Sequence, residues 1–430
     1  MTLRPIALAL AVCAALATLT ACSGSGGTSA PAPVAAPPVT ATPAPVTTPA
    51  PVTAAACAAA YVAPVALPAA GQTFCANLST APDANGMGLE AGKACQARKA
   101  MDIVKEMGQG WNLGNALDAS GAADPLADET AWGNPKITKS LVDAVRKAGF
   151  TTLRVPVSWD EHIGGSADTI DAAWLARVEE VVHYGLDNGM TVIVNIHHNK
   201  GWEAPTYANE AVARDRLVKL WTQIGTRFKG YDHHLVFEAM NEPRAGEDWV
   251  GVAENFDVVN RLNAAALSAI RATGGNNVRR LVMLPSYVAA PGDKQLNGYV
   301  LPSDPMIAVS SHAYSPYPFA LMPKGESTFT DTGDLDALFN RLNTRFVAKG
   351  IPVVMGEWGS TDRNNLAERV KHARYFVQGA HKVGIPTVWW DNGTKTPNAD
   401  GTGEAFAVFD RANASVFQPD IVNAIICAAK

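Results

Sequence analysis

Charge is what the first part of this chain lacks. Beyond Arg4, residues up to about 80 hold hardly a charged side chain, and Ser23–Ala70 is Ser and Gly, then Pro, Ala, Thr and Val. Such a stretch cannot bury a core, and repeated proline favours extended, semi-rigid backbone. No block of basic residues occurs anywhere, and the net charge is only −5. Nothing here attracts nucleic acid, and a neutral polymer is an acceptable partner. Also missing are a glycine-rich phosphate turn after the first candidate strand, a P-loop, a G-x-S-x-G elbow, an H-E-x-x-H helix and any internal repeat. Cysteine is scarce, at six in 430 residues, and its spacing is unlike that of a metal site.

Met1–Ala21 has one early positive charge and then an almost unbroken apolar run, which is the pattern of a secretory signal. The run ends Leu19-Thr20-Ala21-Cys22, small residues just before a cysteine, as in a bacterial lipoprotein signal. Cleavage there leaves Cys22 as a lipid-bearing N-terminus; the alternative is an ordinary signal peptide, a secreted protein and an incidental cysteine. Ser23 fits export to an outer membrane or cell surface. Residues 22–80 then form a disordered tether, and residues 81–430 suit one large domain. Cys57, Cys75, Cys95 and Cys427 remain in an oxidising compartment. Cys95–Cys427 and Cys57–Cys75 are the favoured pairing of the three that four cysteines allow.

The domain reads as apolar strands alternating with amphipathic helices. Strands are expected at Gly110–Asn115, Thr151–Trp159, Thr191–His197, Leu235–Glu242, Arg280–Ser286, Met306–Tyr314, Val353–Trp358 and Thr387–Asn392. Helices are expected near 138–147, 171–187, 210–227, 256–272, 335–348, 366–382 and 420–429, with Asp171 an N-cap. Eight such units predict an α/β fold, a (β/α)8 TIM barrel; a doubly wound open sheet is the alternative.

Polar residues gather where the strands stop, and a barrel brings those ends to one rim. The stretch LVFEAMNEPR at Leu235–Arg244 delivers Asn241 and Glu242 after an apolar run; IPVVMGEWG at Ile351–Gly359 delivers Glu357 in the same way. Two carboxyl groups across a cleft are what glycoside cleavage requires. Glu242 is expected to be the proton-bearing acid/base and Glu357 the ionised nucleophile, with Arg154 and Tyr314 keeping its charge. Of ten tryptophans only Trp174 and Trp221 fall on expected helices. The other eight, as a group, are expected to offer flat faces to sugar rings. His197-His198 and His233-His234 raise a metal reading. It is disfavoured because the first strand carries Asn112 and Asn115 rather than a histidine pair, and His233-His234 precede the fourth strand, away from the rim. Neutral His197 and His312 are expected as hydrogen-bond partners instead.

At these residues the chain resembles the glycoside hydrolase family 5 cellulases from about Met101 to the C-terminus. The shared pieces are GWNLGNALD at Gly110–Asp118, ETAWGNP at Glu129–Pro135, LRVPVSW at Leu153–Trp159, NIHHN at Asn195–Asn199, NEPR at Asn241–Arg244, HAYSPY at His312–Tyr317, GEWG at Gly356–Gly359 and WWDNG at Trp389–Gly393. The resemblance implies a retaining mechanism without metal or cofactor, Glu242 as acid/base and Glu357 as nucleophile. Arg154, His197, His198, Asn241, His312, Tyr314, Asn115, Trp132 and a tryptophan of the eighth strand complete the implied site. That tryptophan is assigned to Trp390, with Trp389 the alternative register. It implies a monomeric endo-β-1,4-glucanase acting on a β-glucan polysaccharide. A xyloglucanase or β-mannanase is the alternative within the family, and a non-catalytic glycan-binding lipoprotein the alternative outside it.

Overall fold

The computed structural model describes residues 98–430. Before these, it describes only two short strands, Leu89–Glu90 and Lys93–Ala94, paired antiparallel. The signal, Cys22, the tether and Cys57, Cys75 and Cys95 lie outside the described residues. Cys427 is disulfide-bonded, and its partner lies there too, since residues 98–430 hold no other cysteine.

Eight parallel strands close into a barrel in sequence order: β1 (Gln109–Leu113), β2 (Thr152–Val155), β3 (Thr191–Asn195), β4 (Leu235–Glu238), β5 (Val282–Pro285), β6 (Ile307–His312), β7 (Val353–Trp358) and β8 (Thr387–Asp391), which pairs back to β1. The expected strands are all present. Most end earlier than expected, because their last polar residues leave the hydrogen-bond ladder to shape the rim. The outer helices are α2 (Lys139–Lys147), α3 (Ala172–Leu186), α4 (Glu210–Phe228), α5 (Ala253–Ala272), α6 (Gly333–Arg345), α7 (Leu366–Lys382) and α8 (Pro419–Ala428). Asp171 caps α3 as its position suggested, accepting from Ala173 N and Trp174 N at 2.8 and 2.9 Å. β5 is followed only by a short helix, Asp293–Asn297.

One helix is new. α1 (Ala100–Met107) precedes the barrel and turns Ala100, Ile103, Val104 and Met107 to one side. These close the barrel floor against inward residues of the strands, among them Ile193, Val236, Met283, Ala308, Val354 and Val388. Eight residues with four buried apolar positions are too short a period to read from sequence, yet each such side chain withdrawn from water contributes roughly 1–3 kcal/mol. The outward residues of the strands pack on the helices: Phe237 lies 5.1 Å from Trp221, and Trp358 stacks on Phe376 at 4.2 Å. The core is therefore two shells, with the strands between them.

Candidate active site

Strand alternation decides which residues enter the barrel mouth. Asn112 pairs with Arg154 on one side and Trp390 on the other, and Asn195 pairs with Glu238. All five are buried. They form the upper inner layer, above the apolar floor.

Arg154 is the hub. Its guanidinium donates to Glu238 Oε2 from Nε and Nη2 at 2.9 and 2.6 Å. It also donates to Asn241 Oδ1 at 2.7 Å, Asn112 Oδ1 at 2.9 Å and Glu357 Oε1 at 2.7 Å. Burial disfavours its charge, but Glu238 and Glu357 outweigh that and hold its pKa above the ordinary arginine value. An arginine only donates, so the Asn241 oxygen must face it, and the Asn241 Nδ2 is left to donate elsewhere.

Glu238 is the residue that sequence reasoning left without a role. It is fully buried and also accepts from Asn195 Nδ2 at 2.9 Å and Ser310 Oγ at 2.5 Å. Burial pushes its proton affinity up, but Arg154, His312 and Ser310 bring the pKa down to about 2. The available signal was its position: an ionisable side chain two residues after inward Val236 in an otherwise apolar strand.

Glu357 receives Arg154 on one oxygen and the Tyr314 hydroxyl on the other at 3.0 Å. Burial raises its pKa, with Glu242 adding to the rise, while His312 and Arg154 oppose it. Tyr314 is pushed well above the ordinary phenol range, by burial and then by Glu357, so it stays a donor. Glu242 accepts from His312 Nδ1 at 2.8 Å. A ring nitrogen of His312 and one carboxylate oxygen each of Glu242 and Glu357 all lie within 4.8 Å of one another. That suits direct attack by one carboxylate and leaves no room for the interposed water of a pair roughly 6.5–9.5 Å apart.

A bulge in β7 brings this about. The register slips between Ser311 and His312, so that Ser311 faces Met355 while His312 faces Glu357, passing over Gly356. A Cβ on Gly356 would sit 3.0 Å from His312 Nε2 and would press on the imidazole. His312 is corrected from the neutral expectation. Burial lowers its proton affinity, but Glu357, Glu238 and Glu242 raise the pKa to about 9, and it is a cation at neutral pH. His197 does behave as expected, held well below the ordinary value by burial and the charges of His198 and Arg154.

Trp390, not Trp389, enters the mouth. Its ring lies parallel to His197 at 5.8 Å and so close to Gly114 that a Cβ there would meet it at 2.6 Å. Trp389 points outward, donating to Phe406 O and edge-on to Trp358. Trp132 is 44% exposed beside His198, with ring centroids 5.5 Å apart. His198 Nε2 lies 3.9 Å from Asp118. Asn115 takes a left-handed backbone, φ 55°, with its N–H on Asp118 and its carbonyl on Asn134. The tryptophan group reading fails for Trp111, Trp159, Trp202, Trp358 and Trp389, which are buried core. Indoles at strand ends alternate inward and outward, and the outward ones pack under helices. Trp249 remains exposed, under the Arg244 guanidinium. His233 lies with Arg98 at the barrel floor, away from this site.

Residues 117–396 match the family described as Cellulase (glycosyl hydrolase family 5). The chain is 48% identical over 343 residues to Cellulase/esterase CelE of Acetivibrio thermocellus, a match covering 77% of this chain and 40% of that protein. It thus spans less than half the length of that relative. It is 44% identical to Endoglucanase B of Clostridium cellulovorans, covering 77% of this chain and 76% of that one. Among solved structures, a GH5-4 broad specificity endoglucanase from Ruminococcus champanellensis with bound cellotriose superposes with a TM-score of 0.74 at 40% identity. That match covers 77% of this chain and 99% of the other.

Proposed function

The chain belongs to glycosyl hydrolase family 5, and from that premise we propose that it is a retaining endo-β-1,4-glucanase. Glu357 attacks the anomeric carbon and forms a glycosyl–enzyme bond. Glu242 protonates the departing glycosidic oxygen, then takes a proton from the water that hydrolyses the intermediate. The observation that carries this is the separation of the two carboxylates, within 4.8 Å, with two donors on Glu357. Arg154 and Tyr314 donate to Glu357 and favour charge there, against burial and the Glu242 charge, which raise its pKa. His312, cationic beside Glu242, stabilises the carboxylate formed once the proton has left. Asn241 offers its free amide N–H to a sugar hydroxyl, and Trp390, Trp132, His197, His198 and Asn115 line the approach.

Two experiments test the reading. Product analysis on carboxymethyl cellulose, lichenan, xyloglucan, xylan and mannan should give fastest cleavage within β-1,4-glucan chains; mannan as the preferred polymer would overturn the substrate. Glu242→Ala should keep activity only on aryl glycosides with good leaving groups, and azide should then yield a β-glycosyl azide. An α-azide, or no rescue, removes Glu242 from the acid/base role.

The N-terminal segment supports a location. We infer that Cys22 carries lipid, that residues 23–80 hold a monomeric catalytic domain off a bacterial membrane, and that the protein is exported. Cys22→Ala should shift it from the membrane fraction to the soluble one; unchanged fractionation would discard the anchor.

A further inference from the structure

Arg244 closes the NEPR stretch two residues after Glu242 and is a second cation on that carboxylate. Its Nη1 lies 3.9 Å from Glu242 Oε2, while His312 Nδ1 lies 2.8 Å from Oε1. The two cations thus take one oxygen each. They differ in setting: His312 is buried inside the mouth, whereas Arg244 is half-buried at its rim. A long side chain in such a place ordinarily spends its entropy among several rotamers, and its ion pair then contributes little.

Two contacts fix this one. Arg244 Nε donates to Gly246 O at 3.0 Å, and the guanidinium carbon lies 4.3 Å from the centre of the Trp249 ring. Trp249 is exposed, so burial in the core does not account for it. The loop that carries it is nevertheless fastened. Ala245 N donates to Tyr287 Oη at 3.1 Å, Tyr287 Oη donates to Asp248 O at 2.5 Å, and Gln295 Nε2 donates to Val250 O at 3.0 Å. Asp248 Oδ1 accepts from Val250 N and Gly251 N, at 2.8 and 3.0 Å. Trp249 therefore stands on a braced turn, with the guanidinium over its ring.

We propose that Arg244, held by Trp249, is a positioning residue for the proton donor: its charge steadies the Glu242 carboxylate left when the proton passes to the glycosidic oxygen, and so sets the alkaline limit of cleavage. This rests on the glucanase reading above and deepens it. Glu242 also interacts with His312, Glu357, Tyr314 and Glu404 on other elements, and all four remain when Arg244 is replaced. Arg244 in turn acts on Tyr287 and on buried Glu203, in the loop after β3. Burial and then Asp160 push the Glu203 pKa up to about 8 against the pull of Arg244. Near neutrality Glu203 is therefore mostly uncharged, and Glu242 is the carboxylate that Arg244 serves.

The kcat/KM–pH profile on cellotetraose tests this. Without positive charge beside Oε2, Glu242 keeps its proton to higher pH. Arg244→Gln should therefore move the alkaline limb upward by about half a pH unit at low ionic strength. The gap from wild type should narrow in about 1 M sodium chloride, because the pair is partly open to solvent. Trp249→Ala should move the limb in the same direction, and Trp249→Phe, which restores a ring face, should bring it back. A merely structural role would leave the limb in place. An unmoved limb in both Arg244→Gln and Trp249→Ala overturns the proposal. So does a raised KM with an unmoved limb in Trp249→Ala, the mark of an indole that only carries a sugar. Either outcome leaves the glucanase intact; a wild-type protein that cleaves no β-glucan overturns both.

Discussion

Arg154 and Arg280 are both fully buried, one near each end of the same barrel, and are held in opposite ways. At the floor, Arg280 donates to the carbonyls of Phe228, Tyr231, Asp232 and Leu235 and to Asn277 Oδ1, at 2.6–3.0 Å. No carboxylate is among these partners, and burial brings its pKa down to about 9. At the mouth, Arg154 has two carboxylates and two amides, and its charge is favoured. Carbonyls satisfy donors but lend only partial charge. The floor arginine therefore fastens backbone turns, whereas the mouth arginine keeps Glu238 ionised and positions Glu357. The same residue type thus serves folding at one end and chemistry at the other.

The comparison can be broken in four places. Glu357→Gln should lower turnover on soluble cellulose derivatives by roughly 10⁴-fold or more while leaving the melting temperature nearly unchanged; substantial residual turnover would show that the mouth does not do the chemistry. Arg154→Met should both inactivate the protein and destabilise it by about 3–5 kcal/mol in denaturant titration, because two buried carboxylates lose their cation. If stability is unaffected, the mouth arginine is no electrostatic hub.

Glu238 sharpens the contrast through pH. Its pKa is about 2 in the folded protein against an ordinary 4.5. The stability it contributes, on the order of 3 kcal/mol, is complete above about pH 4.5 and is lost as pH falls towards 2. Melting temperatures of the wild type should drop across that window, and those of Glu238→Gln should drop less. The smallest effect is expected at the floor. Arg280→Met should cost about 1–3 kcal/mol and leave kcat of the folded fraction unchanged, since it lies far from the carboxylate pair. Lost activity at full folding would mean that the two ends are coupled.

Much of this was legible beforehand because apolar runs and their spacing are local properties. The eight strands, seven outer helices and the Asp171 cap all follow from patterns within about twenty residues. Glu242 and Glu357 were legible because each ends an apolar run in a similar way. Glu238 was passed over because a single acidic residue inside a strand has no local mark beyond its alternation with Phe237. Five tryptophans were misread for a related reason: composition at a strand end does not say which side of the sheet an indole takes. The His312 charge was also out of reach, since it depends on three carboxylates from β4, the loop after it and β7.

By itself, the amino-acid order determined the succession of strands and helices, and that two glutamates stand at strand ends. Those are consequences of backbone geometry and apolar period. Only closure of the barrel decided that Arg154 would divide its charge between Glu238 and Glu357, and that a bulge at Gly356 would bring His312 to Glu357. The physical reason is that a pKa and a reacting distance depend on groups distant in the chain. They acquire values only when low-dielectric surroundings and fixed neighbours exist together.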